Sequence, residues 1–192
     1  MKLTHAIAAL LLSSATLFGG NYMLDDSHTS VDFKIKHMMI TNVSGKFKSF
    51  YAEFAYDEKT GLLTKLEATV DVNSIDTGIE KRDNHLRSAD FFDVTKYPEM
   101  TFVLEKAEGD EVTGTLTIRG ISKKVTLEYE NGGVINDPWG NQRAGFSLSG
   151  KIDRKDFGLT WNKALETGGL LVGDKVKLSI DVQGIYDDTE DE

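Results

Sequence analysis

Hydrophobic and polar residues alternate along most of this chain, and the places where the alternation stops define its organisation. Val31, Phe33 and Ile35 alternate with Asp32, Lys34 and Lys36, the period of a strand with one buried face. Phe50, Ala52, Phe54 and Tyr56 repeat the pattern. Leu66, Ala68, Val70 and Val72 then face away from Lys65, Glu67, Thr69 and Asp71. Further strands are predicted around Phe102 and Leu104, around Val112, Gly114, Leu116 and Ile118, and around Val125, Leu127 and Tyr129. Phe146, Leu148 and Ile152, and finally Val176, Leu178, Ile180 and Val182, bring the number to about eight. Asp57 to Gly61, Glu108 to Asp110 and Gly120 to Lys124 read as turns, and Asn131 to Gly133 and Asp137 to Gly140 as loop residues. His37 to Val43 breaks the first alternation and reads as a short turn of helix.

The longest interruption, Ser74 to Asp93, carries a helical pattern. Thr77 followed by Glu80 is a capping box, which predicts a helix over about 78–88. Ile79 and Leu86 share one face, and Asp83 precedes Arg87 by one turn as a favourable charge pair. Phe91 and Phe92, side by side between Asp90 and Asp93, suit a lip folded over an apolar opening. The helix is therefore expected to lie on the fold as a lid or flank. A second interruption, Arg154 to Gly173, carries Phe157 and Trp161, which either plug one end of the fold or line an entrance.

Short polar turns favour antiparallel pairing, and strands that are apolar on one face need a shared interior. The expected class is all-β, as a sandwich or a barrel. A barrel of about eight strands encloses a lumen filled by side chains or by one small ligand. Small residues on the apolar faces, Ala52, Ala68, Gly114 and Gly150, leave volume unfilled and favour the barrel with a cavity. Its lining is expected from Phe33, Ile35, Phe54, Val70, Phe102 and Leu104 in the first strands, and from Leu116, Ile118, Phe146, Leu148, Leu178 and Ile180 in the later ones. Phe91, Phe92 and Trp161 join them at the lip. Such a wall offers nothing to a sugar or a nucleotide and suits a long hydrocarbon tail, although the same residues could also pack as a dry core.

The remaining features bound this picture. Residues 1–20 read as an export signal, with Lys2 before an apolar run from Ala6 to Leu12 and small residues for cleavage between positions 15 and 20. No later stretch is long and apolar enough for a spanning helix. Residues 21–186 form one domain, and 187–192, nearly all acidic, read as a disordered tail. With no cysteine there is neither a disulfide framework nor a lipidation site of the lipoprotein type. A formal charge of −9 argues against nucleic acid as a partner.

Arg82, Asp83 and His85 form the densest polar cluster. They are expected to pin the helix to the barrel or to meet an anionic head group at its mouth; no nucleophile is arranged with them, and no catalytic residue is assigned. His28 and His37 are too far apart across a strand for a metal site, and Asp71 to Arg82 lacks the glycine and the final glutamate of a calcium loop. Gly145 to Ser149 lacks the last glycine of a nucleophile elbow. Lys34, Lys36, Lys123, Lys124, Arg154 and Lys155 read as solvated charges. No cofactor and no metal are expected.

Several stretches together resemble a known family. Ser74-Ile-Asp-Thr-Gly78, Lys81-Arg-Asp-Asn-His-Leu86, Asp90-Phe-Phe-Asp93 and Tyr97-Pro98 are similar to the YceI-like family. So are Gly114-Thr-Leu-Thr-Ile-Arg-Gly120, Arg154-Lys-Asp-Phe-Gly158 and the opening Asp25-Asp-Ser-His-Thr-Ser-Val-Asp-Phe33 with His37. The resemblance spans the mature chain. It implies an exported, lipocalin-like barrel closed around a long apolar pocket that holds a polyisoprenoid or an isoprenoid quinone, in the periplasm or otherwise outside the cytoplasm, for carriage, storage or stress protection. A homodimer is compatible with it. Two other functions stay open: an enzyme acting on a lipid through the His85 and Asp83 region, and a stress-response or adhesion factor acting through its surface.

Overall fold

Alternation becomes a single antiparallel sheet in the computed structural model, which describes residues 20–187 apart from Thr167. Residues 1–19 of the expected signal segment and residues 188–192 of the acidic tail lie outside the described residues, while Gly20, the last residue of that expected segment, opens a strand. The strands are β1 (Gly20–Leu24), β2 (Ser30–His37), β3 (Thr41–Phe47), β4 (Phe50–Asp57), β5 (Leu62–Asp71), β6 (Ile75–Asp76) and β7 (Glu99–Glu108). They continue as β8 (Glu111–Ile118), β9 (Ile121–Asn136), β10 (Gln142–Asp153) and β11 (Val172–Tyr186), with one helix, α1 (Glu80–Arg87), between β6 and β7.

Eight strands close a barrel in the order β1-β4-β5-β7-β8-β9-β10-β11, with β1 returning to β11. The expected architecture therefore holds. Its closure is not uniform along the axis. The far end of β11 pairs with β1 from Gly184 to Tyr186, whereas Val172 to Asp181 pair with β2 on the same edge. A 3-10 turn at Asp26–His28, capped by the Asp25 carboxylate on the Ser27 amide at 3.0 Å, switches the chain from one partner segment to the next. From β2 the sheet continues into β3 and then β6 instead of back to β4. The barrel is thus closed at one end and opens at the other into a wall extended by the β2–β3 hairpin.

Two apolar clusters occupy the two ends. At the closed end Tyr22, Phe54, Tyr56, Tyr129 and Phe146 pack solidly, with Tyr22 and Phe54 stacked at 5.2 Å and Phe54 edge-on to Phe146 at 5.1 Å. Burial pushes the Tyr22 hydroxyl up to about 12. Toward the open end Phe47, Val72, Ile75, Phe91, Met100, Ile118, Ile152, Phe157 and Leu159 form the second cluster.

Local expectations differ from the structure in five places. Gly120 to Lys124 is not a five-residue turn: the chain turns at Arg119 and Gly120 alone, and Ile121 to Lys124 already pair with β8 as the start of β9. His37 to Val43 is no helix: Met38 to Ile40 turn tightly and Thr41 starts β3. Asn131 to Gly133 is not a loop but lies within β9, where the register shifts opposite Gly145 and Phe146. The capping box does not form, because the N-cap of α1 is Ile79, whose side chain makes no cap bond and is exposed. Nor does Asp83 pair with Arg87: Asp83 accepts from the Thr77 amide at 3.0 Å and from its hydroxyl, while Arg87 donates to the carbonyls of Asn73 and Ile75 at 2.8 Å each.

Candidate functional site

Between the two clusters lies a cavity of about 370 Å³. β11 contributes Val172, Val176, Leu178, Ile180 and Val182 to its wall, and the last four, alternating along the strand, make an apolar strip roughly 20 Å long. β2 adds Val31, Phe33 and Ile35 on the neighbouring strand, and β5, β7 and β8 add Val70, Phe102, Leu116 and Ile118 across the barrel. Leu148 of β10 lies in the same wall. The inward period-2 faces of separate strands thus converge on one lumen.

Three of the expected lining residues do not reach it. Phe54 and Phe146 belong to the aromatic packing of the closed end. Leu104 sits at a register shift between β7 and β8 and packs against that same cluster. The glycines do not create the volume either: a Cβ on Gly114 would lie 2.4 Å from the Phe102 ring, and one on Gly150 would lie 2.6 Å from Leu127. Neighbouring side chains already fill those places. Ala52 and Ala68, side by side on β4 and β5, do line the cavity.

The mouth is built from the two interruptions. Asp83, 5% exposed, holds Thr77, and Arg82 donates to the Thr77 hydroxyl at 2.7 Å and carbonyl at 2.8 Å, so the start of α1 is tied to the chain leaving β6. His85 points its ring edge-on to Phe91 at 5.0 Å and to Trp161 at 4.9 Å, with Nε2 2.9 Å from Asp90. Phe92 meets Phe47 at 6.2 Å. Arg82, His85, Leu86, Phe91, Phe92 and Trp161 all border the cavity, so the helix and the lip form one side of its opening. Phe157, by contrast, is fully buried as a plug.

Sequence reasoning missed Arg154. Read as a solvated charge, it is 3% exposed and stands in the cavity wall. Its guanidinium donates to the carbonyls of Gly173 at 2.8 Å, Trp161 at 3.0 Å and Leu159, with Asp174 3.5 Å away. Burial lowers its pKa, opposed by the neighbouring Asp174 and Asp153 carboxylates. The residue ties the loop that carries Trp161 to the barrel. The available signal was its place just after Ile152, the last apolar residue of β10, in a break that also carries Phe157 and Trp161. His37 also borders the cavity, so the imidazole and guanidinium groups of its wall, His37, Arg82, His85 and Arg154, all lie toward the α1 end. Among the described residues no group of His, Cys, Asp and Glu could hold a metal ion.

The YceI-like domain family matches residues 22–184 of the chain. Protein YceI of Salmonella newport is 39% identical over 189 residues, covering 95% of this chain and 96% of that protein. The crystal structure of Campylobacter jejuni YceI protein is 41% identical with a TM-score of 0.70, over 87% of this chain and 98% of the other. Burkholderia cenocepacia BcnA gives 27% identity and a TM-score of 0.67, over 83% and 98%. A polyisoprenoid binding domain from Saccharophagus degradans, implicated in plant cell wall breakdown, shares the fold at 13% identity and a TM-score of 0.64, over 88% and 99%.

Proposed function

The chain belongs to the YceI-like family, and on that basis we propose that it is an exported binding protein that holds a polyisoprenoid or isoprenoid quinone, tail inward, in the barrel lumen. The observation that carries the reading is the apolar strip from Val176 to Val182 on β11, beside Val31, Phe33 and Ile35 of β2, with the imidazole and guanidinium groups of the wall gathered at one end. A tail entering between α1 and the Trp161 loop leaves its head beside Arg82 and His85. The name of the Saccharophagus degradans domain supports the same ligand class on the same fold.

The driving force is removal of apolar surface from water. Each buried CH₂ contributes about 0.8 kcal/mol, so one five-carbon unit contributes about 4 kcal/mol before ordering costs are subtracted. A few units are enough for micromolar binding. Binding without catalysis is the reading favoured by the polar cluster: Asp83 holds the Thr77 amide and hydroxyl, and His85 pairs with Asp90 at 2.9 Å.

The test is organic extraction and mass spectrometry of the mature protein purified without detergent from the exported fraction of its source, beside a mock preparation. One isoprenoid species at near-equimolar amount is expected. A protein that is empty and also refuses added isoprenoids overturns the proposal, as does an Ile118→Glu variant that stays folded and fully loaded.

A further inference from the structure

The hairpin tip beyond the mouth exposes apolar side chains that no packing explains. Met38, Met39 and Ile40 at the β2–β3 turn are 42%, 69% and 82% exposed, and Leu170 on the loop after Trp161 is 40% exposed. The two segments form one lip. The Met38 amide donates to the Leu171 carbonyl at 2.7 Å, and the Met39 sulfur lies so near Gly169 that a Cβ there would be 2.7 Å from it. Met38 and Met39 both occupy positive φ, 51° and 64°, a conformation that Gly, Asn and Asp adopt more readily. The chain thus places two largely exposed methionines, the second with its sulfur resting on Gly169, where a short polar turn would be easier. Their neighbours in sequence, His37 and Leu171, border the cavity, so the lip is continuous with its mouth.

Charge is distributed to match. Lys151, Lys177 and Lys34 stand side by side in register across β10, β11 and β2, and all three are exposed. Like charges placed directly opposite one another weaken a sheet, so this row is an electrostatic feature with a cost. Lys36 continues it toward the tip and Lys163 flanks the second loop, both exposed. The turns of the closed end instead carry Asp57, Glu58, Glu108, Asp110 and Glu111, with Lys59 and Lys106 among them. Acidic groups stand at the opening as well: Asp156 and Glu166 lie in the segment between β10 and β11, and Asp153 and Asp174 pair with Lys175 and Lys155 respectively. A chain of net charge −9 nevertheless carries the row of three lysines on the wall beside its apolar tip.

We infer that this lip docks on an anionic lipid bilayer, with Met38, Met39, Ile40 and Leu170 entering the headgroup region and the Lys34–Lys177–Lys151 row against its surface. Basic side chains near an anionic surface and shallow apolar insertion reinforce each other. The acidic closed end points away from the membrane. The docking itself does not need a filled lumen; its purpose, cargo exchange through the adjoining mouth, rests on the lipid-binding reading above.

The experiment is flotation of the mature protein with vesicles of phosphatidylcholine alone or with 30% phosphatidylglycerol, at low and at physiological salt. Binding to the anionic vesicles that weakens with salt is expected. Met39→Glu with Ile40→Glu is expected to lower the partition coefficient at least tenfold, and Lys34→Glu with Lys177→Glu to remove the preference for phosphatidylglycerol. Unchanged circular dichroism keeps these variants interpretable, since all four side chains are exposed. No binding by the unaltered protein, or equal binding by the tip variant, overturns the inference. So does a tip variant that converts a dimer to a monomer in light scattering, which assigns the lip to a second copy of the chain. Cargo measured by mass spectrometry is scored separately: a loaded protein that ignores vesicles refutes docking alone, and an empty one that binds them refutes the lumen reading alone.

Discussion

Filling the lumen with a side chain tests what occupies it more cleanly than placing a charge there. Ala68 stands in register between Ala52 on β4 and Phe102 on β7, and both alanines face the cavity. In Ala68→Trp the indole projects into space that the methyl group leaves open. It displaces about one five-carbon unit of a bound tail, worth about 4 kcal/mol at about 0.8 kcal/mol per CH₂, which corresponds to roughly a thousandfold weaker binding. The same indole placed on the exposed outer face of β7, in Val103→Trp, serves as the matched control. Overpacking costs about 1–3 kcal/mol in a filled core, so a variant that melts close to the parent also reports that the indole found open volume. Binding of geranylgeraniol by equilibrium dialysis, with thermal melts by circular dichroism, supplies both readings. If Ala68→Trp folds and binds as tightly as the parent and as Val103→Trp, the tail does not lie in the lumen and the reasoning fails.

Arg154→Met is expected to destabilise the protein by about 3–5 kcal/mol in urea unfolding, because the carbonyls of Gly173, Trp161 and Leu159 lose a buried donor. Arg154→Lys should restore only part of this, since an ammonium cannot reproduce the planar fork. Asp83→Ala removes both bonds to Thr77, at about 1–3 kcal/mol; faster amide exchange over residues 77–92 than in the barrel strands, with faster ligand release, would show that α1 and its lip open as a unit. Acid sensitivity should come partly from the closed end. Burial works to raise the Asp25 carboxyl, but hydrogen bonds from His28, Arg143 and the Ser27 amide outweigh it and hold the group at about 2. A depressed carboxyl contributes stability above its ordinary pKa of 3.8 and loses it as pH falls toward 2. With solvent screening allowed for, the contribution is on the order of 1 kcal/mol. Asp25→Asn should flatten that loss in stability measured between pH 5 and 2, and an unchanged profile would contradict the assignment.

What the sequence determined by itself is the set of strands and their inward faces. Period-2 alternation is a local property, and each of Phe33, Ile35, Leu116, Ile118, Leu178 and Ile180 faces the lumen because one buried face per strand leaves no other choice. The interruption at 74–93 was equally legible as helix and lip, because Phe91 and Phe92 cannot both be accommodated by a strand with one apolar face. What only the tertiary structure decided is where along the axis those faces enclose space. Phe54 and Phe146 carry the same pattern as Phe102, yet they meet Tyr22, Tyr56 and Tyr129 and close one end, which depends on register across strands distant in sequence. Thr77, Glu80 and Asp83 likewise admit a capping box, until the chain leaving β6 brings the Thr77 amide and hydroxyl to Asp83. Arg154 shows the same limit most sharply. A guanidinium is solvated by default, and only the convergence of three backbone carbonyls from the loop over the mouth and the start of β11 makes burying it favourable.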